Sequence, residues 1–243
     1  ATLDPGDEVI IPAPYWVSYP DMVRFSGGVP VIVPCGIEQG FKLNPQDLAA
    51  AITPKTKWVI LNSPGKPTGA GYTKSELLAL ASVIRPQQTV HVLSDDIYEH
   101  ITFPGFEFAT LANVAPDLKD RVLTVNGVSK AYAMTGWRIG YAGGPQPLIA
   151  AMRKLQSQST TNPSSISQWA AVAALTGPQD YLKMSKDAFL RRRDMVVAAL
   201  NAMDGVNCPT PQGAFYVYPS VAGLIGLRSP HGKALEDDRA IAE

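Results

Sequence analysis

The sequence predicts an α/β protein built on a mainly parallel sheet with helices on both faces. Short runs rich in Val and Ile (EVII, VPVIV, KWVIL, TVHVLS) read as buried strands. Helical patterns with recognisable starts alternate with them along the chain. Of 243 residues, 46% are hydrophobic and 17% charged, which suits a globular α/β chain able to bury a substantial core as one large or two modest domains.

In order, a turn at Asp4-Pro5-Gly6-Asp7 leads into a strand over 8–11, stopped by Pro12-Ala13-Pro14. A helix follows over 19–25, ended by Ser26-Gly27-Gly28, and then a strand over 29–33. Asn44 caps a helix with Pro45 at its first position, running to about residue 52. Residues 57–61 form a strand that feeds the loop NSPGKPTG, and Thr73 with Glu76 forms a capping box for a helix through residue 84. The strand over 89–94 delivers Asp95, Asp96 and Tyr98 at its carboxyl end, where ligands of open α/β sheets gather. A strand over 121–125 runs into a small-residue loop holding Lys130, and an apolar run over 139–142 is closed by Gly143-Gly144. Helices over 145–158, 166–175 and 179–203 come next, the last carrying Arg191, Arg192 and Arg193 on a solvated face. The GAFYVY run over 213–218 reads as a strand, and HGKALEDDRAIAE as a helix under way.

Several classes are disfavoured. Net charge is zero, so no global field draws nucleic acid or an anionic membrane. No apolar run is long enough to span a bilayer, and ATLDPGDEV lacks the regions of a signal peptide, so the expectation is a cytoplasmic protein. Cys35 and Cys208 make neither a disulfide framework nor a metal site, and His91, His100 and His231 supply too few nearby ligands for one. No G-x-G-x-x-G follows an early strand, which disfavours a nicotinamide site.

The stretch VNGVSKAYAMTGWRIGYAGG, residues 125–144, organises the rest. A lysine at the mouth of a strand with Arg138 eight residues on suits a cofactor held as a Schiff base and carrying a phosphate. The same spacing also suits a surface lysine in a loop.

SKAYAMTGWRIGYA resembles the lysine region of class I/II aminotransferases, the aspartate aminotransferase superfamily of fold type I pyridoxal-phosphate enzymes. PYWVSYPDMV and AYAMTGWRIGY are similar to the bacterial subgroup of aspartate and aspartate/prephenate enzymes. The resemblance implies pyridoxal 5'-phosphate as cofactor, Lys130 as the amine of the internal aldimine, and Arg138 as the phosphate ligand. It places Trp16 over the cofactor ring, Asp95 beside the ring nitrogen and Tyr98 on the phenolic oxygen; Asp96 is left with a structural part, as a cap or solvated turn. It implies transfer of an amino group between an α-amino acid, aspartate foremost, and a 2-oxo acid by ping-pong kinetics, in a homodimer.

A carbon–sulfur lyase of the same fold and a non-catalytic homologue are the competing readings. The second is motivated by the segments expected to lie outside the chain and by Lys66, which stands in KPTG where the family loop commonly reads N-P-T-G; Asn62 matches a different position. Lys66 is open to three courses: contact with an anionic ring oxygen, pairing with Asp95, or solvent. Because family members are longer at both ends, the chain is expected to be an internal fragment. It would comprise a large cofactor-binding domain over 1–178, an interdomain helix over 179–205, and the start of a smaller α+β domain over 206–243. The glycine-rich phosphate loop and the arginine for the substrate α-carboxylate would lie outside it.

Overall fold

In the computed structural model, which describes residues 1–242, the direction of each crossover decides which face each helix covers. Among the described residues, one sheet holds six strands: β1 (Glu8–Ala13), β2 (Val29–Pro34), β3 (Thr56–Asn62), β4 (His91–Asp95), β5 (Val122–Gly127) and β6 (Gly140–Gly143). Their order is β2-β1-β3-β4-β5-β6; the first five are parallel and β6 is antiparallel to β5. The step from β1 to β2 moves one way across the sheet, and the steps from β2 to β3, β4 and β5 move the other way. Right-handed crossovers in opposite directions put their helices on opposite faces.

That is what the packing shows. Helix α1 (Ser18–Phe25) places Tyr19 and Val23 against Val9, Ile11, Trp58, Ile60 and Leu123. Helices α2 (Pro45–Ala51), α3 (Lys74–Ile84) and α4 (Leu111–Val114) cover the other face, where Leu48, Leu77, Leu80 and Leu111 meet Ile10, Val59, Leu61 and Val92. After β6, α5 (Gln146–Ser157) returns to the α1 face with Leu148, Ile149 and Met152. Neighbouring residues along each strand therefore enter different cores, as the near-continuous apolar runs require.

The helix starts follow the sequence signals. Asn44 Oδ1 accepts from Asp47 N at 2.8 Å with Pro45 opening α2, and Thr73 and Glu76 complete a capping box on α3. The chain ends in α6 (Ser165–Thr176), α7 (Asp180–Asn201) and α8 (Asp238–Ala242). The last is shorter than HGKALEDDRAIAE suggests, since Ala234 bridges to Arg228 before it begins; Glu243 lies outside the described residues.

The expected strand over 213–218 is not formed. Gly213 makes one isolated antiparallel bridge to Thr102, and Ala214 at φ 59° then turns the chain out of the extended region. The segment's backbone donors go to loops instead: Gln212 N and Gly213 N both donate to Gly69 O at 2.9 and 3.0 Å, and Ala214 N donates to Ile101 O at 2.8 Å. It thereby ties the distal part of the chain to the loop after β3, and Ala214 and Tyr216 join Tyr98, Ile101 and Phe103 in a third apolar cluster.

Gly69 bears this closure, with φ +70° and a position where a Cβ would meet Pro211 Cβ at 2.6 Å and Gly213 O at 2.8 Å. Gly6 has φ +92° but open space around it. Backbone strain alone costs about 1 kcal/mol, and forced contact adds about 2 more. Gly6→Ala is thus expected to lower the unfolding free energy by about 1 kcal/mol and Gly69→Ala by about 3, read from urea unfolding. Equal losses would mean that segment 211–213 does not press on the loop.

Candidate active site

The carboxyl ends of β1, β3, β4 and β5 lie side by side, and the residues just beyond them surround one cavity of about 420 Å³. It lies outside the carboxyl ends of the parallel strands, where open α/β sheets bind ligands. Trp16 comes from the turn after β1, Asn62 and Lys66 from the end of β3 and its loop, Asp95 and Tyr98 from β4 and its turn. Lys130 comes from the turn after β5, and Arg138 from the short connection into β6. All five residues singled out from the sequence (Trp16, Asp95, Tyr98, Lys130 and Arg138) line this one cavity.

Asp95 is the best-held group. Its Oδ2 accepts from Tyr19 Oη at 2.5 Å and its Oδ1 from Ile97 N at 3.2 Å, while its backbone oxygen accepts from Asn62 Nδ2 at 2.8 Å. Burial pushes its carboxyl above the usual range, and the two donors pull part of that back. Burial and the charge of Asp95 likewise push the Tyr19 phenol far up, so it stays a donor.

Asp96 departs from expectation in its setting. It is neither a cap nor solvated, but 2% exposed on the opposite side of the strand, accepting from Ser94 Oγ at 2.8 Å. Burial, with Glu99 and Asp95 adding, pushes its carboxyl up to about 7.

Tyr98 is buried and shares a hydroxyl–hydroxyl bond of 2.8 Å with Tyr216. The half-buried Trp16 stands edge-on to Tyr19, with ring centroids 5.4 Å apart at 82°. Lys66 takes neither of two of its open courses: no ion pair joins it to Asp95, and it does not swing to solvent. Its Nζ lies 5.8 Å from the Trp16 ring centroid and 5.5 Å from that of Tyr216, over the faces of both. Its backbone is pinned by Lys66 N donating to Asn62 Oδ1 at 2.8 Å. Arg138, exposed at φ 55°, donates from Nη1 to Thr135 O at 2.8 Å, which leaves most of its fork available.

The cavity also takes in Tyr19, Asn62, Asn126, Ser129 and Thr135, which sequence reasoning did not select. Tyr19 was within reach, since it follows Trp16 by three residues at the opening of a helix. Tyr216 was not: its contact with Tyr98 spans 118 residues and carries no local signal.

The donor set suits a phosphorylated pyridine aldehyde. A guanidinium with the Ser129 and Thr135 hydroxyls can take a phosphate, a buried carboxylate a ring nitrogen, a phenol a ring oxygen, an indole the ring face, and Lys130 a carbonyl carbon. The volume is that of a small-molecule site.

The family model "Aminotransferase class I and II" matches residues 1–238. The chain is 61% identical over 242 residues to the aspartate/prephenate aminotransferase of Cereibacter sphaeroides, covering 100% of this chain and 60% of that protein. It is 56% identical over 238 residues to an aspartate aminotransferase of Rhizobium meliloti, covering 98% and 58%. Among solved structures, the aspartate aminotransferase from Rhizobium meliloti superposes with TM-score 0.96 at 55% identity, over 98% of this chain and 60% of that one. The Thermus thermophilus enzyme with maleate gives 0.85 at 44% identity, over 99% and 64%. The chain thus spans about 60% of the length of the curated relatives it matches.

Asp96 and Asp95 set a pH dependence of stability. A carboxyl raised by folding binds more protons in the folded than in the unfolded state, so its contribution is greatest at low pH and is lost as pH rises. For Asp96 the window runs from its ordinary 3.8 to about 7. The unfolding free energy is expected to fall across that window and Asp96→Asn to remove most of the slope, measured by urea unfolding at stepped pH. A slope that survives unchanged in Asp96→Asn would place the titrating group elsewhere.

Proposed function

The chain belongs to the aminotransferase class I and II family, and on that premise we propose that it is the cofactor-holding part of a pyridoxal-phosphate-dependent aminotransferase. It moves an amino group between an α-amino acid, aspartate foremost, and a 2-oxo acid in two half-reactions. The observation that carries this is the convergence of Trp16, Asp95, Tyr98, Lys130 and Arg138 on one cavity.

When bound, pyridoxal phosphate supplies a carbonyl that condenses with amines and a ring that withdraws electrons from the bond being broken. Arg138, with Ser129 and Thr135, holds the phosphate by charge-assisted bonds. Trp16 covers one ring face and excludes water there. Asp95 would hold a proton on the ring nitrogen, and Tyr98 would offer its hydroxyl to the phenolic oxygen. The Lys130 amine would hold the cofactor through its carbonyl carbon, with loss of water, and once freed would move the proton from the substrate Cα. Lys66, held over Trp16 and Tyr216, adds a donor for an anionic oxygen where the resembling loop carries a neutral amide.

The same reading divides the chain into a large domain over 1–178, a linking helix over 179–205 and the start of a small domain. It also carries a homodimer, supported by the exposed Ile166, Trp169 and Val172 on α6.

Amino transfer from aspartate to 2-oxoglutarate tests the assignment. Lys130→Ala is expected to lower the rate about 10⁴-fold and Asp95→Asn about 100-fold, with Asp96→Asn changing it about threefold at most. Cofactor binding with no amino transfer in the unmodified protein, assayed with the segments the relatives carry beyond this stretch, would place it instead among non-catalytic homologues.

A further inference from the structure

We propose that Tyr19 is a positioning residue, whose hydroxyl keeps Asp95 ionised and turned into the cavity. This rests on Asp95 being the partner of the ring nitrogen. Tyr19 is 5% exposed, and its ring is fixed edge-on against Trp16 and among the apolar side chains of Val9, Ile11 and Val23. A buried phenol needs a partner, and this one has Asp95 Oδ2 at 2.5 Å, the length of a bond to a charged acceptor.

No other group substitutes for it. Lys66, Lys130 and Arg138 line the same cavity, and Tyr98 turns its hydroxyl to Tyr216. Among the described residues, no cation lies within ion-pair distance of Asp95. Its second oxygen has only the longer bond from Ile97 N, at 3.2 Å. A buried carboxylate that loses its short donor is driven towards the neutral acid. A neutral acid no longer holds a proton on a ring nitrogen by charge. Tyr19 thus acts on the ring through Asp95 without touching it.

Tyr19→Phe keeps the ring and removes only the donor. The primary readout is the ¹³C titration of the Asp95 side-chain carboxyl in cofactor-free protein, assigned by its loss in Asp95→Asn. Its midpoint is expected to rise by about one pH unit in Tyr19→Phe. The dissociation constant for pyridoxal phosphate is expected to rise about tenfold, and this effect to vanish when Tyr19→Phe is placed on Asp95→Asn. An unmoved midpoint, in protein whose thermal unfolding shows it folded, overturns the proposal. So does an equal loss of affinity in both backgrounds, which would make Tyr19 a packing residue. If Asp95→Asn alone leaves cofactor affinity unchanged, it is the reading of Asp95 that fails, whatever Tyr19→Phe does to the midpoint.

Discussion

The site depends on the register of parallel strands. β3, β4 and β5 pair so that Asn62 lies beside Asp95, and Asp95 beside Val125. Parallel strands that start level end level, so their exits form one rim and the loops beyond them share one space. A slip of one residue in β4 would turn every side chain to the other face. Asp96 would then point towards the cavity and Asp95 into the core beneath α3. The pleat, rather than any chemical difference between the two carboxyls, selects the one that faces the cavity.

The two carboxylates show how differently burial is handled on the two faces. Asp96 is buried with Ser94 as a donor and Glu99 and Asp95 as like charges nearby, and its carboxyl is pushed well above the usual range. Asp95 is also raised, but a phenol and a backbone N–H stabilise its charged form. None of the cavity's cations pairs with it, and two of them have holders of their own. Arg138 is fixed through Thr135, and Lys66 between two aromatic faces. Separating opposite charges inside one cavity leaves both signs free for a ligand that carries both. The price is paid in stability above about pH 4, where ionised buried carboxyls count against the folded state.

Most of the sheet was legible because each strand is a local signal. Val- and Ile-rich runs, the Asn44-Pro45 cap and the Thr73/Glu76 box announce themselves within a few residues. Trp16, Asp95, Tyr98, Lys130 and Arg138, which line the cavity together, stood out for a different reason, since the phrases that hold them resemble those of a known family. What could not be seen was contact between distant segments. GAFYVY has the composition of a strand, yet its backbone donors go to Gly69 and Ile101, and only the folded chain offers those acceptors. The holding of Lys66 by Tyr216 and the bond from Tyr19 to Asp95 are of the same kind, with the latter spanning 76 residues.

Two amines, Lys66 and Lys130, line the cavity, and the functional reading assigns the carbonyl to one of them. The direct measurement is to equilibrate the protein with pyridoxal 5'-phosphate, reduce with borohydride, and map the modified peptide by mass spectrometry. The label is expected on Lys130, within SKAYAMTGWR. A label on Lys66, or a reduced protein that carries none, would contradict it.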